Sequence, residues 1–143
     1  MDFLKNRMVR IMNNWISEVN NFQAIFEKKS DDVQKTIDLR TRLVHEEITE
    51  LWQGMANILD GLGVGDREQT KSGRIETLDA IADSIVVLIG TASVLDMNLE
   101  EAMKRVFESN LSKLGEDGRP FYNEIGKVMK GPNFKPPVLD DLV

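Results

Sequence analysis

From Ser84 to Leu95 the chain carries no charge for twelve residues. This run closes a longer stretch in which Ile75, Leu78, Ala82, Ile85, Ile89 and Ala92 return every three or four positions. That spacing places them on one face of a helix running from about Arg74 to Leu95. From Ile85 onward the helix is apolar nearly all round, which predicts an element enclosed by its neighbours. Strand-like alternation of comparable strength occurs nowhere. A first helix is expected from Phe3 to Lys28, with Met8, Ile11, Met12, Trp15, Val19, Phe22 and Phe26 as its apolar stripe. Ser30-Asp31-Asp32 suits the cap of a second helix reaching about Leu59, with Ile37, Val44, Ile48, Leu51, Met55 and Ile58 turned inward. Asp60 to Gly73 reads as a loop. Asn98-Leu99-Glu100-Glu101 resembles a capping box for a fourth helix that ends near Leu114-Gly115. The chain is therefore expected to be all-α. Its 143 residues suit a single domain, with the Pro- and Gly-containing segment 115–143 as an ordered tail or lid.

Within this scaffold the acidic residues are spaced for chemistry. Glu46, Glu47 and Glu50 recur at helical intervals on the second helix, and Glu76, Asp79 and Asp83 do so on the third. Glu47 and Glu50 flank the inward-facing side of their helix. Asp83 precedes the uncharged run, where an unpaired carboxylate would be costly to enclose. Two facing helices would aim four or more carboxylates at one point. Such a group repels itself unless protons or a cation neutralise it, and hard ions such as Mg²⁺ take all-oxygen sites.

Other chemistries fit poorly. There is no cysteine, so neither disulfides nor thiolate metal sites are possible. The single histidine, His45, lacks the partner that a zinc-protease helix or a His-ligated di-iron bundle needs, and reads as an ordinary side chain. Gly61, Gly63 and Gly65 are not preceded by a strand or followed by Gly-Lys-Ser/Thr, which rejects a phosphate loop. A net charge of −6 argues against a general nucleic-acid binder but leaves room for an anionic ligand bridged by metal. No signal peptide is visible, and twelve uncharged residues fall short of the eighteen or so that span a bilayer. A soluble, cytoplasmic protein is expected, with no membrane partner.

Arg40-x-x-Leu43-x-x-Glu46-Glu47-x-x-Glu50, followed by Asp79-Ala80-Ile81-Ala82-Asp83 and Val87-Leu88-Ile89-Gly90-Thr91-Ala92, resembles the all-α nucleoside triphosphate pyrophosphohydrolases. That superfamily includes MazG-like proteins, dimeric dUTPases and phosphoribosyl-ATP pyrophosphohydrolase. Ser109-Asn110-Leu111-Ser112-Lys113 and Gly126-Lys127-Val128-Met129-Lys130-Gly131-Pro132 are similar to the carboxy-terminal signature of the small MazG-like branch of bacteria and phages. The resemblance covers roughly residues 40 to 137. It implies a bundle of four or five helices assembled as a dimer or dimer of dimers, located in a bacterial cytoplasm or, for a phage protein, in that of the host. The implied reaction is hydrolysis of a (d)NTP to (d)NMP and pyrophosphate in nucleotide-pool control. Mg²⁺ or Mn²⁺ would be held by Glu47, Glu50, Asp79 and Asp83, with Glu76 in support. Glu46 or Glu47 would take the proton of the attacking water, while Asn110, Lys113, Lys127 and Lys130 would bind substrate. One departure stands out: aligned on Asp83, Ala80 occupies the position of a family glutamate, and either Asp79 or Glu76 would have to replace it. Phosphoribosyl-ATP and dUTP remain alternative substrates. A non-catalytic helical interaction module is the alternative that Ala80 favours.

Overall fold

The computed structural model describes residues 2–26 and 32–143, with the backbone alone for residues 2–13. The chain is all-helical: α1 (Asp2–Phe26), α2 (Val33–Val64), α3 (Arg67–Val94) and α4 (Leu99–Leu111), then a single 3-10 turn at Asp140–Leu142. It forms two compact units, residues 18–94 and residues 1–17 with 95–143.

In the first unit α2 and α3 pack along one another as a helical hairpin. The segment 60–73, expected as a loop, is almost wholly helix, because the turn needs only two residues. Gly65 adopts a left-handed conformation (φ 71°), and the Asp66 amide donates to the Gly61 carbonyl at 2.8 Å, the bond that closes a helix C-terminus. Asp66 then caps α3, its Oδ1 accepting from the Gln69 amide at 2.9 Å. At the other end of α2 the Asp32 side chain accepts from the Lys35 amide. Ser30 and Asp31, the rest of the expected cap, lie outside the described residues.

The seam between α2 and α3 differs from the expected apolar stripes. On α2 the buried residues are Arg40, Gly54 and Gly61, and on α3 they are Gly73, Ala80, Ser84, Ile89 and Gly90. Ile37, Ile48, Ile75 and Leu78 are exposed instead. Backbones in contact explain the difference. A Cβ on Gly54 would lie 2.7 Å from the Thr77 amide nitrogen, one on Gly61 2.6 Å from that of Thr70, and one on Gly73 2.7 Å from that of Ile58. Helices this close admit only small residues at those points, so Ile48, Ile75 and Leu78 lie on the outer faces, while Val44, Leu51, Met55 and Ile58 of the expected stripe are half-buried and Ile89 is buried. Trp52, Leu59, Leu62 and Leu88 are exposed as well, whereas Ile89 and Gly90 are buried and Ile85, Val86 and Val87 half-buried, so the described residues enclose this part of α3 incompletely. By length and composition alone α3 is apolar enough to cross a membrane, a test that core helices of soluble proteins also pass. On α1, Val19 is buried, while Trp15, Phe22 and Phe26 are exposed. Met8, Ile11 and Met12 have side chains outside the described set.

The second unit is organised by α4, which Asn98 caps by accepting from the Glu101 amide, as its sequence predicts. The helix stops at Leu111, short of the expected Leu114. The segment after it is tied down by the backbone: the Gly131 amide donates to the Lys113 carbonyl at 3.1 Å, and a bridge pairs Tyr122 with Val128. The carboxy terminus is clamped on α4. Arg105 donates to the Val138 carbonyl at 2.9 Å and to both carboxylate oxygens of Asp141, and Glu101 accepts from its Nε at 3.1 Å. These hydrogen bonds from Arg105 hold the Asp141 and Glu101 carboxyls below the usual carboxylate range. A depressed folded value means that the clamp is at full strength above the unfolded carboxylate values, about 4, and is lost as pH falls below them. Amide exchange at Asp140–Leu142 is thus expected to quicken, relative to the intrinsic rate, on acidification through pH 4. Arg105→Ala should produce the same local opening at pH 7.

Candidate metal and phosphate site

Three pairs of residues fix how α2 and α3 are matched. Gly61 meets Thr70, Gly54 meets Thr77, and Asn57 Nδ2 donates to Glu76 Oε2 at 2.6 Å. Each step of seven residues is about two helical turns and returns to the same side of a helix. One such step from the Gly54–Thr77 rung, toward the open end of the hairpin, places Glu47 opposite Ser84. The same step from Asn57–Glu76 places Glu50 opposite Asp83. A hydrogen-bonded amide and carboxylate are thus followed, two turns on, by two carboxylates.

The electrostatics agree with that register. Glu47 is half-buried, its Oε2 is fully covered, and this oxygen has no hydrogen-bond partner among the described residues. Burial, then repulsion from Asp83, Glu50, Glu46 and Asp79 in that order, pushes its carboxyl above the ordinary range. Four of the five other acids singled out in the sequence therefore act on Glu47, two of them across the seam. Glu76 is placed elsewhere: it accepts from Asn57 and from Ser72 Oγ at 3.0 Å, one rung nearer the turn.

Asp83 was expected to be enclosed by an apolar helix, but it is exposed, as are Glu46, Glu50 and Asp79. The seam of α3 passes through Gly73, Thr77, Ala80 and Ser84, and Asp83 lies on its flank. As the side chains stand, no three acids among the described residues are close enough together to enclose an ion. Like charges spread apart when their side chains are free to rotate, and Glu47 alone is restrained by burial. The donor set nevertheless fits a hard divalent cation: oxygens only, from two rigid helices, with Glu47 held half-buried at their seam. His45 is exposed and takes no part.

Ala80 is only 1 % exposed and sits in the seam. The larger side chain of a glutamate would not fit there, whereas Asp79 beside it is exposed and belongs to the charges that repel Glu47.

The residues expected to bind phosphate belong to the other unit. Lys113 Nζ donates to Asn110 Oδ1 at 2.6 Å, Lys130 Nζ lies 4.5 Å from the centre of the Phe134 ring, and the Lys127 amide donates to Asn123 Oδ1 at 2.8 Å. The backbone of Gly131 reaches that of Lys113, so these two parts of the signature adjoin.

Several participants escape a reading by apolar periodicity. Gly54, Gly61 and Gly73 set the approach of the helices, Asn57 holds Glu76, and Gln23 accepts from the buried Arg40 at 3.1 Å. The signal available for the first three was small residues at intervals of seven. A groove of about 920 Å³ near the turn is lined by Ile58, Leu62, Ile75, Leu78 and Ile81, with Arg67, Lys71 and Arg74 along it. Neither Glu47 nor any of the four carboxylates around it lines it.

The raised carboxyl of Glu47 has a measurable consequence. A folded value above the unfolded one means that the ionised group opposes folding, so its cost is absent well below pH 4 and develops as pH rises through the folded value. In the presence of chelator, Glu47→Gln is therefore expected to raise the unfolding midpoint near neutral pH. The gain should disappear on acidification, which a pair of thermal melts at pH 7.5 and pH 3.5 checks.

No protein-family model matches this chain, and no curated protein matches it.

Proposed function

We propose that the protein is a metal-dependent nucleoside triphosphate pyrophosphohydrolase of the MazG-like kind, converting a (d)NTP and water to a (d)NMP and pyrophosphate. The observation that carries this reading is the half-buried Glu47 at the helix seam, crowded by Glu46, Glu50, Asp79 and Asp83 from two helices in fixed register. Glu47, Glu50, Asp79 and Asp83 would hold Mg²⁺ or Mn²⁺. Glu76, committed to Asn57 and Ser72, would play no direct part. When bound, the ion draws charge from the triphosphate and acidifies a coordinated water. Glu46, exposed beside this group, would accept the water's proton. By the resemblance alone, Lys113, Lys127, Lys130 and Asn110 would bind phosphate and sugar oxygens of the substrate.

A second copy of the chain belongs to this reading. The exposed aliphatic side chains on the outer faces of α2 and α3, among them Leu59, Leu62, Ile75 and Leu78, suit burial in a homodimer or homotetramer. Ala80 does not favour a non-catalytic module, since the seam has room only for a small residue there. We place the protein in the cytoplasm, with nucleotide as its partner.

The test is pyrophosphate release from a panel of ribo- and deoxynucleoside triphosphates, dUTP among them, and from phosphoribosyl-ATP, with Mn²⁺ and with chelator. Turnover that needs the metal is expected on at least one compound. Turnover in chelator would remove the metal from the mechanism, and silence across the panel would leave the interaction module.

A further inference from the structure

Along the α2–α3 seam the same arrangement occurs three times at seven-residue intervals, and the third occurrence differs. At the first two rungs a glycine on α2, Gly61 or Gly54, faces a threonine on α3, Thr70 or Thr77. Both threonine hydroxyls are occupied by their own helix: Thr70 Oγ1 donates to the Asp66 carbonyl at 2.7 Å, and Thr77 Oγ1 to the Gly73 carbonyl at 2.6 Å. At the third rung Glu47 replaces the glycine and Ser84 the threonine. Ser84 is 8 % exposed, and its Oγ, unlike those of Thr70 and Thr77, makes no hydrogen bond to the preceding turn or to any described residue. Glu47 Oε2 is the other covered oxygen without a partner on this rung. A buried hydroxyl and a buried carboxylate oxygen, each lacking a partner, cost free energy separately and lose that cost together.

We propose that Ser84 is a positioning residue for Glu47: its hydroxyl donates to Oε2, directly after rotation about χ1 or through one water, and leaves the other carboxylate oxygen for the cation. This inference rests on the metal-site reading. Serine suits the role because it rotates freely among three rotamers, whereas threonine is stiff at χ1 and satisfied by its own turn. A small residue serving only to let the helices approach would behave differently. Its hydroxyl would be an unsatisfied buried group, and alanine would replace it with no loss.

Four proteins decide the matter: wild type, Ser84→Ala, Glu47→Met and the double variant. Their unfolding midpoints are measured in chelator, and Mn²⁺ binding by electron paramagnetic resonance. In chelator the two substitutions are expected to be non-additive, because methionine keeps the length of Glu47 without its acceptor, so that loss of the hydroxyl has no further effect. Midpoint changes that simply add would overturn the proposal. With Mn²⁺, Ser84→Ala is expected to bind about tenfold more weakly, as when a partner of a metal ligand is removed. Wild-type affinity in Ser84→Ala would likewise overturn it. Absence of Mn²⁺ binding by the wild type would defeat the metal reading while the chelator cycle still decides the Ser84–Glu47 pair.

Discussion

Glu50→Gln is expected to lower pyrophosphate release by on the order of 10³-fold with the helical content and unfolding midpoint preserved. A bound ion supplies several kcal/mol of transition-state stabilisation, and each ~1.4 kcal/mol is a factor of ten in rate. Glu50 is exposed, so an amide there leaves no cavity, and its removal lessens the repulsion on Glu47. The loss should therefore be catalytic and not structural. Asp83→Asn, across the seam, is expected to match it, whereas Glu76→Gln, whose carboxylate is already held by Asn57 and Ser72, should retain most activity. Steady-state rates at saturating Mn²⁺ beside circular dichroism melts make the comparison. Near wild-type turnover by Glu50→Gln would remove that residue from the ligand set.

The largest effect on stability is expected at Gly54. Even a methyl there would approach the backbone and hydroxyl of Thr77 at 2.7 Å, closer than real Cβ contacts allow, and the atoms it meets belong to a helix that cannot yield locally. Overpacking costs typically about 1–3 kcal/mol, and the two branches of valine put the cost at the upper end. For a chain of this size that is roughly 10 °C in the unfolding midpoint. Gly54→Val should also separate Glu50 from Asp83 and so lose activity in proportion. Gly63, with open space where a Cβ would be built, is the control: Gly63→Ala should leave the midpoint unchanged or raise it slightly, since alanine is the better helix former.

Helical character was legible because period and caps are local properties. Asp32 and Asn98 cap where their positions suggest. The packing was less legible, for a definite reason. Apolar periodicity identifies the side of a helix that avoids water, but in this hairpin the avoided side and the contacting side differ. Backbone contact at Gly54, Gly61 and Gly73 reserves the seam for small residues, and Ile75 and Leu78 are left outside. Periodicity misplaces Asp83 for the same reason: the uncharged run beside it predicts enclosure, yet the seam passes through Ser84, one residue on. The turn was hidden by composition, since Gly65-Asp66 is both the end of one helix and the cap of the next, and the glycines before it suggested a loop. The opposition of Glu50 and Asp83 depends on register between helices, which only the contacts at Thr70, Thr77 and Asn57 reveal.

On the proposed reading, the register of α2 and α3 brings carboxylates near enough together for a divalent cation to relieve their repulsion. Titration of the chelator-stripped protein with Mn²⁺, followed by electron paramagnetic resonance, tests it without reference to any substrate. The wild type is expected to bind Mn²⁺ saturably, and the double variant Glu50→Gln, Asp83→Asn to bind at least tenfold more weakly while folding as before. Equal binding by the two proteins, or no saturable binding by the wild type, would rule out a metal site at Glu50 and Asp83.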